Sequence, residues 1–242
     1  LAAKVIEESD VQDHSRVSLL GAFVALSLLT GGMLFSVPAG AAGYVLTATP
    51  TPHGVVLFED DFATYSGRWQ EKDSPKASVA YSEATLELRV VSPGVFVWSV
   101  PDFDAALRDY RVEVAADVRG GSADSLVGFV LDYHDDDHFC ALLTTAQGEW
   151  QFLRREGAEW VDLTPPDAAP LKRETDGSLI RLRADVVGDM VTLWIGDQPA
   201  GRVTIADGLT GADFGLIARA GRGYVDVSFD DFIVTAIVGE EP

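Results

Sequence analysis

The chain has 242 residues, with 38 acidic against 18 basic side chains, a formal net charge of -20 and a pI near 4.3. That length suffices for one large β domain plus an appendage, and a surface so acidic disfavours nucleic acid or anionic lipid headgroups as partners. The single cysteine, Cys140, excludes an internal disulfide framework and a thiolate-rich metal site, and it reads as a small buried apolar residue.

Residues 1–16 are polar and mixed in charge, with Val5, Ile6 and Val11 too sparse for more than a short helix. Val17 to Val37 is a run of 21 uncharged, mainly apolar residues. It is long enough to cross roughly 30 Å of hydrocarbon as a helix, so it is expected to be a single transmembrane helix. The competing expectation is a secretory signal peptide, because Ala39-Gly40-Ala41 resembles a small-residue cleavage site. Lys4 and Arg16 precede the run and no charge follows until Glu59, which predicts a cytoplasmic N-terminus and an extracytoplasmic remainder. Gly21, Ala25 and Gly32 could share a helix face open to close packing against another membrane helix. Residues 38–54 lack charge and periodicity and contain Pro38, Pro50 and Pro52, the pattern of an extended spacer.

From residue 55 to 238 the pattern is one of strands, and residues 239–242 form a tail. Strands are expected at 77–81, 84–91, 94–100, 110–119, 125–134, 138–145, 149–155, 179–187, 190–195, 201–205, 214–219 and 224–236, with no amphipathic helix between them. Gly188-Asp189 and Gly196-Asp197 mark two-residue hairpin turns. If Val187 pairs with Met190, then Ile180, Leu182, Ala184 and Val186 face inward with Val191, Leu193 and Ile195, and Arg183 lies opposite Trp194 on the other face. In the last strand Val225, Val227 and Phe229 alternate with polar residues. The parity changes at Asp230-Asp231, so a bulge is expected there. Leu57-Phe-Glu-Asp-Asp-Phe62 repeats the phrase of the last strand, which suggests that first and last strands lie side by side. The expected fold is all-β, a two-sheet antiparallel jelly-roll sandwich preceded by one transmembrane α-helix.

This strand-rich region resembles the concanavalin A-like lectin/glucanase superfamily, most nearly its laminin-G-like and 3-keto-disaccharide hydrolase-like branches. The likeness is carried by Leu57-Phe-Glu-Asp-Asp-Phe62 with Trp69, Phe96-Val-Trp-Ser-Val-Pro101, Tyr110-Arg-Val-Glu-Val114, Gly128-Phe-Val-Leu-Asp-Tyr133 through Asp137 and Phe139, and Phe229-Asp-Asp-Phe-Ile-Val234. It implies the sandwich fold, often behind a membrane anchor. Activity does not follow from it, because such sandwiches serve as lectins, glycosidases and scaffold modules. Glucanases of the superfamily carry Glu, then Asp two residues on, then Glu along one strand, and no strand here has that pattern. The expectation is therefore that the chain is not an enzyme.

Two polar clusters suit a metal, and the sequence leaves both open. Asp132, His134, His138 and Cys140 fall on one face if Asp135 to Asp137 form a loop, a set fit for zinc. Asp60, Asp61, Asp230 and Asp231 converge if the terminal strands pair, and superfamily members hold a structural calcium near that seam. No cofactor is called for. Of the five tryptophans, Trp69 and Trp98 read as core, whereas Trp150, Trp160 and Trp194, the last paired with Arg183 as a cation–π contact, are the candidate ligand-binding residues. The leading expectation is a membrane-anchored, extracytoplasmic, non-catalytic module binding a glycan or envelope component. The alternatives are an accessory subunit of a larger membrane complex and a glycoside hydrolase.

Overall fold

The computed structural model describes residues 54–103, 108–166, 168, 179–205, 208–209 and 213–237. The expected cytoplasmic segment, membrane helix and spacer lie outside the described residues, except for Gly54. Among the described residues no helix is long and apolar enough to cross a membrane.

Fifteen strands form in chain order: β1 (Val56–Asp60), β2 (Lys72–Asp73), β3 (Ala77–Ser82), β4 (Thr85–Val90), β5 (Phe96–Ser99), β6 (Tyr110–Gly121), β7 (Leu126–Asp135), β8 (His138–Thr144), β9 (Trp150–Glu156), β10 (Glu159–Asp162), β11 (Leu179–Val187), β12 (Met190–Ile195), β13 (Gln198–Thr204), β14 (Asp213–Arg219) and β15 (Val225–Ala236). All pair antiparallel. Nine build one sheet in the order β13-β12-β11-β6-β15-β4-β3-β2, with β1 also beside β15, and six build the other in the order β10-β9-β8-β7-β14-β5. The chain passes between the sheets at β4–β5, β5–β6, β6–β7, β10–β11, β13–β14 and β14–β15.

The two turn-defined hairpins form as the sequence requires. Gly188 and Gly196 take φ of 58° and 60°, the left-handed region that a primed two-residue turn needs. Val187 pairs with Met190 and Arg183 with Trp194. Ile180, Leu182, Ala184, Val186, Val191, Leu193 and Ile195 are consequently buried in the inter-sheet core. The first and last strands also pair, with Phe58 opposite Val234 and Asp60 opposite Phe232. The bulge in β15 has a topological cause. Val225 to Phe229 pair with β4 on one edge, and Phe232 to Thr235 pair with β1 on that same edge. Between them the register against β6 slips at Asp230/Ile233 and Asp231 adopts φ 52°, so the strand changes neighbour and parity together. Two short strands, β2 and β10, escape the sequence pattern because two and four residues are too few to show an alternation.

Between the sheets the core is continuous, with Leu86, Leu88, Val112, Phe129, Leu142, Phe152, Leu216, Val227 and Phe229 at its centre. At one end an aromatic knot closes it. Phe58 meets Trp69, Phe103, Phe214 and Phe232 edge-on, with ring centroids 6.1, 5.5, 5.3 and 5.9 Å away.

Candidate functional site

A sandwich strand ordinarily alternates buried and solvated side chains, because one face meets the core and the other meets water. Four strands of the six-stranded sheet do not. Every residue of β5 is buried, as are the first six of β7, the last six of β8 and Phe214 to Ala218 of β14. One set of side chains enters the inter-sheet core, and the other builds a second apolar cluster on the outer face. That cluster holds Phe96, Trp98, Val100, Leu126, Val130, Tyr133, Phe139, Ala141, Leu143, Leu153 and Ile217, with Trp160 packed against it.

What closes this face is the sheet's own coiling. β5 and β10 are its opposite edges, yet Phe96 of β5 and Trp160 of β10 stack with centroids 4.5 Å apart and an interplanar angle of 24°. Strand twist has curled the sheet until one diagonal pair of corners meets. Beneath this aromatic bridge Phe139 meets Trp160 edge-on at 5.5 Å, and Trp98 and Tyr133 lie 5.1 and 5.8 Å from Phe139.

Polar groups gather at the loop end of the same face. The Asp136 Oδ1 atom accepts hydrogen bonds from Trp98 Nε1 at 3.2 Å and from the Tyr133 hydroxyl at 3.0 Å. Burial raises the Tyr133 pKa, and the bond to Asp136 adds to it. Burial lowers the Lys72 pKa, with the charge of Asp136 acting against that shift. Asp213 of β14 pairs with Tyr133 and raises its pKa further, so Asp213 approaches that tyrosine from a strand and Asp136 from the β7–β8 turn. Two guanidiniums lie over the aromatic bridge, Arg155 Cζ 5.3 Å from the Trp160 ring and Arg219 Cζ 5.3 Å from the Phe96 ring.

The four residues expected to bind ligand do not form one site. Trp150 is only 6 % exposed and belongs to the inter-sheet core, where its indole lies against Gly201 of β13. Its reading as a contact surface is corrected by that burial. Trp160 lies on the same hairpin but on the outer face of the six-stranded sheet, half-buried. Trp194 and Arg183 lie on the outer face of the other sheet, with Arg183 Cζ 3.9 Å over the indole. That pair joins an ion network in which Asp185 accepts Arg111 Nε at 2.6 Å and Arg111 Nη2 at 3.0 Å and lies 3.6 Å from Arg183 Nη2.

Neither metal expectation gains a donor set. In the β7–β8 hairpin Asp135 pairs with His138, leaving only Asp136-Asp137 as the turn, and Asp132 sits at a bulge with φ 52°. Cys140 consequently enters the inter-sheet core, where burial pushes its thiol up to about 12. His138 Nδ1 stands 2.8 Å from the Asp135 carboxylate at the exposed tip. Asp60 is buried and already saturated: Oδ1 accepts Phe62 N at 2.9 Å, while Oδ2 accepts Ser66 Oγ at 2.9 Å, Trp69 Nε1 at 3.1 Å and Arg68 Nη2 at 3.3 Å. Among the described residues no three His, Cys, Asp or Glu side chains are grouped to hold a metal ion.

No family model matches the chain, and no curated protein matches its sequence. Solved structures do. The chain is similar to a protein of unknown function with galectin-like fold from Bacillus subtilis, at 12% identity and a TM-score of 0.58 over 78% of this chain and 99% of that one. It is similar to the carbohydrate-binding module CBM66 from Bacillus subtilis, at 14% identity and a TM-score of 0.54 over 69% and 95%. A β-glucanase of Bacillus licheniformis follows at 12% identity and a TM-score of 0.50 over 75% and 98%. The fold is thus the galectin-like, concanavalin A-like sandwich that binding modules and hydrolases share.

The expectation that the chain is not an enzyme is corrected by these likenesses, because the fold is also that of a glucanase. Carboxylates can reach one face from segments far apart in the chain, as Asp136 of the β7–β8 turn and Asp213 of β14 beside Tyr133 illustrate.

Proposed function

We propose that this chain is a glycan-binding protein of the cell membrane. In this reading Val17 to Val37 anchors it as a single span with a cytoplasmic N-terminus, and the sandwich meets its ligand outside the cytoplasm. Gly21, Ala25 and Gly32 leave the anchor able to pack against a helix of a partner subunit. The ligand surface is the coiled outer face of the six-stranded sheet at Trp160. The observation that carries this reading is Trp160, half-buried on that face, backed by the buried Phe96, Trp98, Tyr133 and Phe139 and bordered by Asp136 and Lys72. Sugar rings present apolar CH faces and a rim of hydroxyls, and aromatic planes bordered by charged hydrogen-bonding groups are complementary to both. The shared fold of a carbohydrate-binding module supports the reading.

The test is retention of the full chain, solubilised in detergent, on insoluble xylan and β-glucan, with reducing ends measured on the same material. Wild type is expected to be retained, and Trp160→Ala to lose about tenfold in affinity, the usual weight of one aromatic anchor. Loss on Trp194→Ala instead would move the site to the opposite sheet. Absence of retention on every polysaccharide tried would sink the reading.

A further inference from the structure

A single apolar side chain left in water needs no explanation by itself. Tyr65 differs in being held. It is 65 % exposed, the most exposed aromatic ring among the described residues, yet its hydroxyl donates to Glu71 Oε2 at 3.2 Å and its ring meets that of Tyr81 at 4.8 Å and 65°. The bond to Glu71 raises the Tyr65 pKa, so the hydroxyl stays protonated and donating. Gly67, at φ 66°, passes close by the ring, where an added Cβ would stand 3.5 Å from Tyr65 Cε1.

The loop that carries this ring, residues 61–71 between β1 and β2, is fixed from its root. Asp60 holds the Ser66 hydroxyl, the Arg68 guanidinium and the Trp69 indole. Ser66 Oγ also lies 2.6 Å from the Tyr81 hydroxyl, and Arg68 Nη2 donates to the Glu59 carbonyl at 2.7 Å. Phe62, Glu83 and Ala84, three of the five non-glycine residues at positive φ among the described residues, lie in this loop or in the turn after β3. Such conformations persist where the surroundings over-determine them, and they gather at functional sites. None of the bonds at the root uses Tyr65, so the loop stands without it.

A tyrosine ring already fixed in water is a preorganised contact, because little freedom is left to lose on binding. Its surroundings decide what it contacts. Thr64, Ser66 and Glu71 are its exposed neighbours, and no other large hydrophobic residue from 61 to 83 is exposed. A lone ring with a polar border is too small for a protein interface, which centres on a contiguous apolar patch. It matches the apolar face and hydroxyl rim of one sugar ring. The Glu71 carboxylate has acceptor capacity beyond its bond to Tyr65, and a net charge of -20 favours a neutral sugar over an acidic one.

We propose that the β1–β2 loop is a sugar-binding loop in its own right, in which a neutral hexose or pentose ring lies on Tyr65 and its hydroxyls donate to Glu71. This rests on the glycan reading above and adds a contact on a different element from Trp160. The loop borders the coiled face: Lys72 follows Glu71 and feels the charge of Asp136, whose Oδ1 is bonded to Trp98 and Tyr133.

The experiment measures retention of the full chain in detergent on insoluble xylan and β-glucan for Tyr65→Ala, Tyr65→Phe, Glu71→Ala and Trp160→Ala. Tyr65→Ala is expected to lose about tenfold in affinity, with no shift of the urea midpoint such as a structural role would give. Tyr65→Phe keeps the ring and should recover most of that loss, and Glu71→Ala should lose about threefold.

Undiminished retention of Tyr65→Ala overturns the inference, and loss on Trp160→Ala in the same assay leaves the glycan reading standing. Equal losses for Tyr65→Phe and Tyr65→Ala also overturn it, because stacking needs only the ring. Loss on Tyr65→Ala with Trp160→Ala unchanged supports the loop and removes the Trp160 surface. Sedimentation in which Tyr65→Ala abolishes self-association, with retention unchanged, assigns the ring to a contact between copies and overturns the inference. Absence of retention of the wild type on every polysaccharide tried removes the glycan reading and this inference with it.

Discussion

Asp60 offers the sharpest test of how the terminal strands are locked. Its carboxylate is buried, and it gathers the Phe62 amide, the Ser66 hydroxyl, the Trp69 indole N–H and the Arg68 guanidinium at 2.9 to 3.3 Å. Asp60→Ala strands the Trp69 donor in a site only 3 % exposed, at about 1–3 kcal/mol for an unsatisfied buried group. It also removes the acceptor of the Phe62 amide, the bond that holds Phe62 at φ 54°, at a further cost of about 1 kcal/mol. The Arg68 pair is discounted, since that side chain is 40% exposed. The sum is about 2–4 kcal/mol for Asp60→Ala. Asp60→Asn keeps one oxygen for the Trp69 side but turns an amide donor toward Phe62 N, and should lose about 1–2 kcal/mol. Urea unfolding followed by tryptophan fluorescence measures both, with m-values checked for constancy. A loss under about 1 kcal/mol for Asp60→Ala would refute the reasoning. So would a melting temperature lowered by chelator, because the argument requires that protein donors occupy the Asp60 oxygens.

Three further outcomes are expected. Gly201→Ala would place its Cβ inside the Trp150 indole and should destabilise by about 1–3 kcal/mol through overpacking; Trp150→Leu in the same chain should recover part of that, and no loss by calorimetry would contradict the packing. Cys140, 2 % exposed with its thiol pushed up to about 12, should react with a disulfide reagent only after denaturation, and prompt labelling of the native protein would contradict its burial. The Asp124 pKa is lowered by a hydrogen bond from the Ser122 side chain and by the Arg222 amide. Its contribution to stability is therefore present above the ordinary carboxylate range and disappears as pH falls through the folded-state value. A carboxyl NMR titration with its midpoint at the ordinary aspartate value would contradict this.

The fold was largely legible because its signals are local. A two-residue Gly-Asp turn sets a register, and the register decides which of Leu182 and Arg183 faces inward. Parity in β15 exposes its bulge for the same reason. The site was hidden because it depends on where strands separated in the chain come to lie. Trp150 and Trp160 look alike beside one hairpin tip, yet Trp160 pairs with Arg155, five residues from Trp150. An odd separation puts the two rings on opposite faces. One usable signal was present: Phe96-Val-Trp98, Leu126 to Leu131 and Phe139 to Leu143 are apolar without alternation, which in a strand means burial on both faces. Read that way, Trp98 and Phe139 belong to a second apolar surface, although the coiling that joins Phe96 to Trp160 remains beyond sequence pattern.

That coiling also separates the outer cluster from the core between the sheets. Phe96, Trp98, Phe139 and Trp160 belong to the outer cluster and none of them to the core between the sheets. On the opposite sheet the half-buried Trp194 lies under Arg183, and the shared Asp185 carboxylate already serves two guanidiniums. Arg183 Nε and Trp194 Nε1 of that network are nonetheless buried without a hydrogen-bond partner among the described residues, as is Arg155 Nε on the coiled face. β10 itself is four residues long and pairs with β9 alone. Perturbing its tryptophan should therefore leave the main core holding the sandwich, so that Trp160→Ala tests the proposed binding face without the loss of stability expected of Asp60→Ala.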